Sequence, residues 1–108
     1  MFSICYVTTP TMKVASSLSK ILVQTHQVAA CVNIIPSVVS VYQWEGELKE
    51  DTECLMMIKT QTSCIKDVVN LVKTNHPYDC PEIISIPMGE GYAPYLDWIS
   101  RQTCPSSG

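Results

Sequence analysis

Basic residues are scarce in this sequence. Its 108 residues include seven Lys and Arg against ten Asp and Glu, which gives a formal net charge of −3 at pH 7. A protein whose main partner is a nucleic acid needs clustered Lys and Arg to neutralise phosphates, whereas the basic residues here are scattered along the chain. We therefore expect no nucleic-acid partner.

The sequence also lacks long apolar runs. None approaches the 18 or more residues that a transmembrane helix requires. Residues 1–10 have neither the basic start nor the long apolar stretch of a secretory signal peptide. We expect a cytoplasmic protein with no direct membrane insertion, provided that no targeting extension precedes these residues.

Closely paired cysteines are missing as well. The six Cys residues form no Cys-x-x-Cys pair and no compact His/Cys group with the spacing of a structural zinc site. Without a secretory signal we expect reduced thiols, most of them small buried apolar groups. A composition that is 46% hydrophobic and 16% charged suffices for one core. We predict a single domain over residues 1–103 and a flexible tail at residues 104–108.

The apolar residues that are present predict an α+β domain. They form short β-rich runs in some segments and recur at three- and four-residue steps in others, as in amphipathic helices. The predicted order is β-α-β-β-α-β with a C-terminal helix, the ferredoxin-like arrangement of two helices on one face of an antiparallel sheet. The predicted elements are a strand at residues 3–9, a helix with Thr11 as N-cap, a central strand within 28–36, a hairpin ending near residue 60, a helix capped by Thr62 or Ser63, a strand at 82–86 and a short last helix.

The second and third strands are predicted to form a long hairpin. After a bend at Pro36, residues 37–44 alternate as one continued strand, the chain turns at residues 45–47, and it returns through residues 53–60. Two helices of this size cannot cover such a hairpin, so part of its apolar surface would face water in a monomer. We therefore expect a homo-oligomer. The predicted interface residues are Tyr42, Trp44 and Met56.

Five phrases of the sequence stand out together. They are AACVNIIP (29–36), SVYQWEG (40–46), LMMIKT (55–60) with Glu53 before it, HPYDCPEI (76–83) and YLDW (95–98). In this order, over nearly the whole chain, they resemble the CutA family of divalent-cation tolerance proteins. The resemblance implies a trimer of ferredoxin-like subunits joined through their long hairpins, similar in architecture to the PII signalling proteins, with no established catalytic reaction.

The resemblance also implies a function. Members of the family are linked to copper and other divalent metals, which implies a metal-binding or metal-tolerance role with copper or another divalent cation as cofactor. Some animal relatives are linked to the anchoring of acetylcholinesterase, which implies the alternative of a non-enzymatic assembly scaffold. The implied partners are further copies of this chain, as a homotrimer, and another protein.

Cys31 and His76 are the candidate metal ligands. A thiolate at Cys31 suits a soft ion such as Cu(I), although a packed neutral thiol is the alternative; the resemblance favours Cys31 because the ACVN phrase is associated with metal or mercurial contact. An imidazole at His76 could ligate a metal or bond to the end of a helix. Copper-linked bacterial relatives carry two further ligands where this sequence has Val7 and Asn75, which puts a site of that type in doubt.

Four further polar residues could line a cleft between subunits. The structural interpretation is that the partly buried amine of Lys59 forms an ion pair with a carboxylate. The alternative is that the same amine binds a small anionic ligand. The sequence shows no nucleophile–base spacing and no glycine-rich phosphate loop, so we expect no enzyme. The cleft residues are Lys59, Glu53, Tyr78 and Glu82.

Overall fold

A computed structural model of the protein describes residues 1–103; the predicted tail at residues 104–108 lies outside them. The observed order of strands and helices is the predicted one. None of the described helices is long and apolar enough to cross a membrane. The elements are β1 (Phe2–Thr9), α1 (Met12–Lys20), a turn of π-helix that continues it (Ile21–Thr25), β2 (Cys31–Trp44), β3 (Glu47–Gln61), a 3-10 turn (Thr62–Cys64), α2 (Ile65–Asn75), β4 (Ile83–Pro87) and α3 (Ala93–Gln102).

The four strands form one antiparallel sheet in the order β2-β3-β1-β4. This confirms the predicted α+β, ferredoxin-like fold. It corrects the prediction of a central strand within residues 28–36, because β2 begins at Cys31 and lies at an edge of the sheet. Residues 28–30 are buried in the loop before β2. This loop is bonded to β3: the Val28 carbonyl accepts a 2.5 Å bond from the Thr60 hydroxyl, and the Ala30 amide donates to the Lys59 carbonyl at 2.9 Å.

The first helix begins as predicted. The hydroxyl of Thr11 accepts a hydrogen bond of 3.2 Å from the Val14 amide, which satisfies one of the free amides of the first turn. Neither of the caps predicted for the second helix is found, since α2 follows a 3-10 turn and has no side-chain cap. Instead, Thr62 shares a 2.7 Å hydrogen bond with Ser3 at the start of β1.

The core lies between α1, α2 and one face of the sheet. Alternation along β3 turns Cys54, Met56 and Ile58 toward the helices, while Leu55 and Met57 point to the opposite face, which we call the second face. Met56 is 0% exposed, so the prediction that it lies in an oligomer interface is corrected. The buried core comprises Cys5, Val7, Ala15, Leu18, Leu22, Val28, Ala29, Cys54, Met56, Ile58, Cys64, Val68 and Val72.

The hairpin of β2 and β3 is longer than predicted. Its pairing runs from Cys31 opposite Lys59 to Trp44 opposite Glu47, with an irregularity between Ile35 and Val38 that accounts for the predicted bend. The turn contains two residues, not three. They are Glu45 and Gly46, with φ of 52° and 82°, as in the type I′ turns that suit hairpins.

The end of the hairpin extends beyond the helices. We call residues 38–53 the hairpin arm. Its exposed apolar side chains include Trp44, 58% exposed, and Tyr42, 41% exposed, so both lie where a neighbouring chain could contact them, and the interface stays a prediction. The other exposed apolar residues of the arm are Val39, Val41 and Leu48.

Candidate functional site

His76 lies just after the C-terminal end of α2 and is 8% exposed. Its Nδ1 accepts a hydrogen bond of 3.1 Å from the Tyr78 amide, and its Nε2 lies 2.8 Å from the Thr8 carbonyl oxygen. Because an amide only donates and a carbonyl only accepts, the ring is the neutral tautomer with its proton on Nε2. Both nitrogens are therefore occupied, and a metal ion would have to displace one of these bonds.

Tyr78 and Glu53 are joined directly. The Tyr78 hydroxyl donates to Glu53 Oε2 at 2.9 Å, and the Ser40 hydroxyl donates to Glu53 Oε1 at 2.6 Å. Burial, followed by the bond to Glu53, raises the pKa of Tyr78 to about 12. The phenol thus remains a donor that fixes the loop after α2 to the base of the hairpin arm.

A second tyrosine–carboxylate pair lies next to the first. Tyr42 donates to the carboxylate of Asp51, and this bond, ahead of burial, raises the pKa of Tyr42. Within residues 1–103, no buried side-chain polar atom lacks a hydrogen-bond partner. The two pairs and Ser40, which we call the tyrosine–carboxylate cluster, therefore join three segments of the chain rather than present unpaired groups to a substrate.

A separate group surrounds Lys59 on the second face. Lys59 lies directly opposite Cys31, and its amine donates to the Asn33 side-chain oxygen. Tyr95 of α3 lies near Cys31; burial, followed by the charge of Cys31, raises the pKa of Tyr95. Cys31 is partly exposed, so its thiol lies at a free sheet edge beside an amine and a phenol.

One chain brings the predicted site residues together in separate groups, not in one site. Glu53 and Lys59 are six positions apart on β3, which corresponds to about 20 Å at 3.3 Å per residue. Cys31 pairs with Lys59, whereas His76 is bonded to Thr8, whose partner on β3 is four positions away, or about 13 Å along the strand. Over the described part of the chain, no group of three His, Cys, Asp or Glu side chains is arranged to hold a metal.

Glu82 belongs to neither group by any bond. It is exposed and immediately precedes β4, whose first residue pairs with Val7. It therefore lies at the end of the sheet that carries His76. The predicted cleft thus separates into Glu53 with Tyr78, Lys59 with Asn33, and an exposed Glu82.

Sequence reasoning missed Asn33, Ser40 and Asp51, each of which bonds a predicted site residue. The length of the hairpin turn could have identified Ser40 and Asp51. A two-residue turn at Glu45 and Gly46 sets Ser40 opposite Asp51, and it places Glu53 one diagonal step from Ser40. A three-residue turn would have shifted this register.

The cysteines differ in accessibility. Cys5, Cys54 and Cys64 are free and buried, whereas Cys31 is partly exposed and Cys80 is exposed. Burial raises the pKa of Cys5 to about 11. Of these five thiols, Cys31 and Cys80 are the ones that an added metal ion can reach without unfolding.

The sequence was compared with known families and proteins. The profile of the family described as "CutA1 divalent ion tolerance protein" matches residues 3–102. The human protein CutA is 43% identical over 101 residues, which are 94% of this chain and 56% of the human protein. The divalent-cation tolerance protein CutA of Thermus thermophilus is 42% identical over 103 residues, which are 95% of this chain and 99% of that protein. The chain thus spans about half the length of its mammalian relatives.

Solved structures of CutA1 proteins superpose closely on this chain. The divalent cation tolerance protein (CutA1) of Thermus thermophilus superposes with a TM-score of 0.92 at 41% identity, over 96% of this chain and 100% of that chain. CutA1 from Oryza sativa superposes with a TM-score of 0.93 at 39% identity, over 97% and 95% of the two chains. The likeness covers the whole β-α-β-β-α-β fold and α3.

Proposed function

On the premise that the chain belongs to the CutA1 family of divalent ion tolerance proteins, we propose that it is a non-enzymatic homotrimer that binds copper or another divalent cation. The observation that carries the proposal is Cys31, a partly exposed thiol on an edge strand. Thiolates are ligands for soft ions such as Cu(I). The family name supports metal tolerance, and Cys31 supplies a ligand.

The site is proposed to be shared between chains. Cys31 and His76 are offset by about 13 Å along the strand direction, and β3 lies between the strand of Cys31 and the strand to which His76 is bonded; one thiol alone makes a weak site. Because β2 is an edge strand, Cys31 is open to a neighbouring chain, which in the proposed trimer supplies the remaining ligands. Val7 cannot take part, since it is an apolar side chain that is 0% exposed in the core.

The test is a titration with Cu(I) under reducing conditions, in competition with a chromophoric chelator. We compare the wild type with Cys31→Ser and with Cys80→Ser, which removes the other accessible thiol of residues 1–103. The expected result is a defined stoichiometry that Cys31→Ser lowers and Cys80→Ser preserves. Equal binding by the wild type and Cys31→Ser would exclude this site.

The proposed role of His76 as a copper ligand is tested separately. His76→Gln retains a side-chain amide that can donate to the Thr8 carbonyl, so it removes the imidazole with limited damage to the fold. If His76 is a ligand, the variant binds copper more weakly than the wild type while its urea unfolding midpoint stays within the range of Cys80→Ser. If copper binding is unchanged, His76 has only its structural role.

The exposed hairpin arm favours a second candidate, an assembly scaffold whose trimer is recognised by another protein. The supporting observation is apolar surface that the subunit itself leaves uncovered on the side of the arm opposite Tyr42 and Trp44, including Val41 and Leu48. A scaffold keeps its assembly and its partner when copper binding is abolished. Loss of assembly by Cys31→Ser would count against it.

A further inference from the structure

The exposed side of the first helix carries a groove that neither the metal site nor the hairpin arm uses. Its lining residues recur at positions three, four and seven apart, so they form one stripe along α1 and the π-turn. The groove is shallow and open to solvent, has a volume of about 450 Å³, and has short hydroxyl side chains between two lysines. The lining residues are Lys13, Ser16, Ser17, Lys20, Ile21 and Thr25.

Acidic residues are absent from the part of the chain that forms this groove. Residues 1–44 contain no Asp or Glu, and all ten acidic residues of the chain follow Trp44. The amines of Lys13 and Lys20 are exposed, and the one ion pair formed within residues 1–103 joins Lys49 to Glu47. The groove is therefore a positive surface on an acidic protein, with two amines available to an external anion.

From the groove and this charge distribution we infer that the α1 stripe is a docking site for an acidic segment of another polypeptide. Lys13 and Lys20 are seven residues apart, or about 10 Å along the helix axis. A peptide in the polyproline II conformation rises about 3.1 Å per residue and has three residues per turn, so two carboxylates three residues apart lie on one side, about 9 Å apart, and match both amines. Ser16 and Ser17 lie between the lysines and can donate to the peptide carbonyls.

The shape of the groove favours a peptide over a small phosphate. All of its lining residues belong to one helical stretch, from Lys13 to Thr25, that spans about 18 Å. A single phosphate group would match one amine and leave the rest of the stripe unused. The π-turn at the end of the groove, with an amide-to-carbonyl bond of 3.0 Å from His26 to Ile21, is a distortion that often marks functional positions in helices.

The second helix supplies a matched control. Lys66 and Lys73 are also seven residues apart and exposed. Between them lie Val69 and Asn70 in place of the two serines, and Asp67 adjoins Lys66. Reversing both charges on either helix changes the net charge of the protein equally, so nonspecific attraction predicts the same loss for both double variants.

The experiment measures the binding of a fluorescein-labelled hexaglutamate peptide by fluorescence anisotropy in low salt. We expect saturable binding to the wild type that weakens as salt rises, and a loss on the order of tenfold, about 1.4 kcal/mol, in Lys13→Glu with Lys20→Glu. The Lys66→Glu with Lys73→Glu variant should bind within about twofold of the wild type. NMR shift changes should follow the α1 stripe.

Three outcomes would overturn the inference. The first is absence of saturable binding by the wild type. The second is an equal loss in both double variants, which would indicate net charge alone. The third is that inorganic tripolyphosphate binds the groove while hexaglutamate does not, which would assign it to phosphate. None of these outcomes depends on copper binding, so the metal proposal stands or falls separately.

Discussion

Met56 and Met57 are neighbours on β3 with different surroundings. Met56 is 0% exposed among the core residues beneath α1 and α2, whereas Met57 lies on the second face of the sheet. Truncating a fully buried methionine removes apolar contacts and leaves a cavity, so Met56→Ala should lower the free energy of unfolding by about 2–5 kcal/mol. Urea denaturation measures this loss. The control is Met12→Ala, because Met12 is 45% exposed; similar losses in the two variants would contradict the assignment of Met56 to the core.

Cys5 makes stability depend on alkaline pH. Burial raises its pKa from the ordinary value of 9.0 to about 11. The unfolded chain therefore loses this proton first, so the contribution of Cys5 to stability is complete below pH 9 and is lost as the pH rises through 11. Two pKa units correspond to about 2.7 kcal/mol at most.

We expect the free energy of unfolding of the wild type to fall more steeply between pH 9 and pH 11 than that of Cys5→Ala. Other groups titrate in the same range, so the informative quantity is the difference between the two slopes, measured by urea denaturation at several pH values. Cys80→Ala, which removes an exposed thiol, should keep the wild-type slope. Equal slopes for the wild type and Cys5→Ala would contradict the prediction.

At the scale of secondary-structure elements, the turn of the hairpin depends on one glycine. Gly46 has a φ of 82°, in the left-handed region that side chains disfavour, and an added Cβ would meet no atom within 4 Å. Gly46→Ala should therefore destabilise the protein by roughly 1–2 kcal/mol through backbone strain alone. Gly89→Ala tests this by thermal unfolding, since Gly89 has equal space and no positive φ. A destabilisation of the same size at Gly89 would argue against strain as the cause.

The loop after α2 is joined to the hairpin by the bond from Tyr78 to Glu53. Tyr78→Phe leaves Oε2 of Glu53 without this donor, and Glu53 is only 8% exposed. The expected loss of stability is about 1–3 kcal/mol, because an unpaired buried acceptor is costly. Tyr92→Phe is the control, since Tyr92 is 76% exposed. Hydrogen exchange should also accelerate at the amide of Tyr78, and no change there would show that other contacts hold the loop.

The limits of sequence reasoning are clearest in β3. Alternation identified its second half, where Cys54, Met56 and Ile58 contact the helices. Residues 47–52 are mostly polar and mostly exposed, as expected for a part of the hairpin that the described helices leave uncovered, so periodicity gave no strand signal there. The apolar run before Pro36 was assigned to the centre of the sheet, whereas residues 28–30 form a buried loop before β2. An apolar sequence pattern does not distinguish a buried loop from a central strand.

In the whole molecule, the position of each site residue depends on the fold. The five sequence phrases shared with the family named candidate site residues, but they did not show which of these residues lie close together. Cys31, Lys59 and Tyr95 come together because β2 pairs with β3 and α3 returns to the second face. His76, Tyr78 and Glu53 meet near the middle of β3, at the base of the hairpin arm and six positions from Lys59. Their separation depends on strand order and register, which are properties of the folded sheet. It is also the reason for proposing that ligands come from more than one chain.

The assembly of the molecule gives the last prediction. A chain of 12.0 kDa that forms the proposed trimer should have a mass of about three times that value by light scattering. Tyr42 and Trp44 point to the same side of the exposed hairpin arm, so Tyr42→Glu with Trp44→Glu would bury two charges in the interface and should shift the mass toward that of the monomer.

Tyr92→Glu introduces the same side chain at a site that is 76% exposed and outside the hairpin arm, and it should leave the mass unchanged. Circular dichroism on all three proteins separates dissociation from unfolding, since the subunit core does not include either aromatic residue of the arm. A wild type that scatters as a monomer would remove the trimer, and with it the shared copper site. A double variant that remains a trimer would place the interface elsewhere, with the free edge of β2 near Cys31 as the surface to test next.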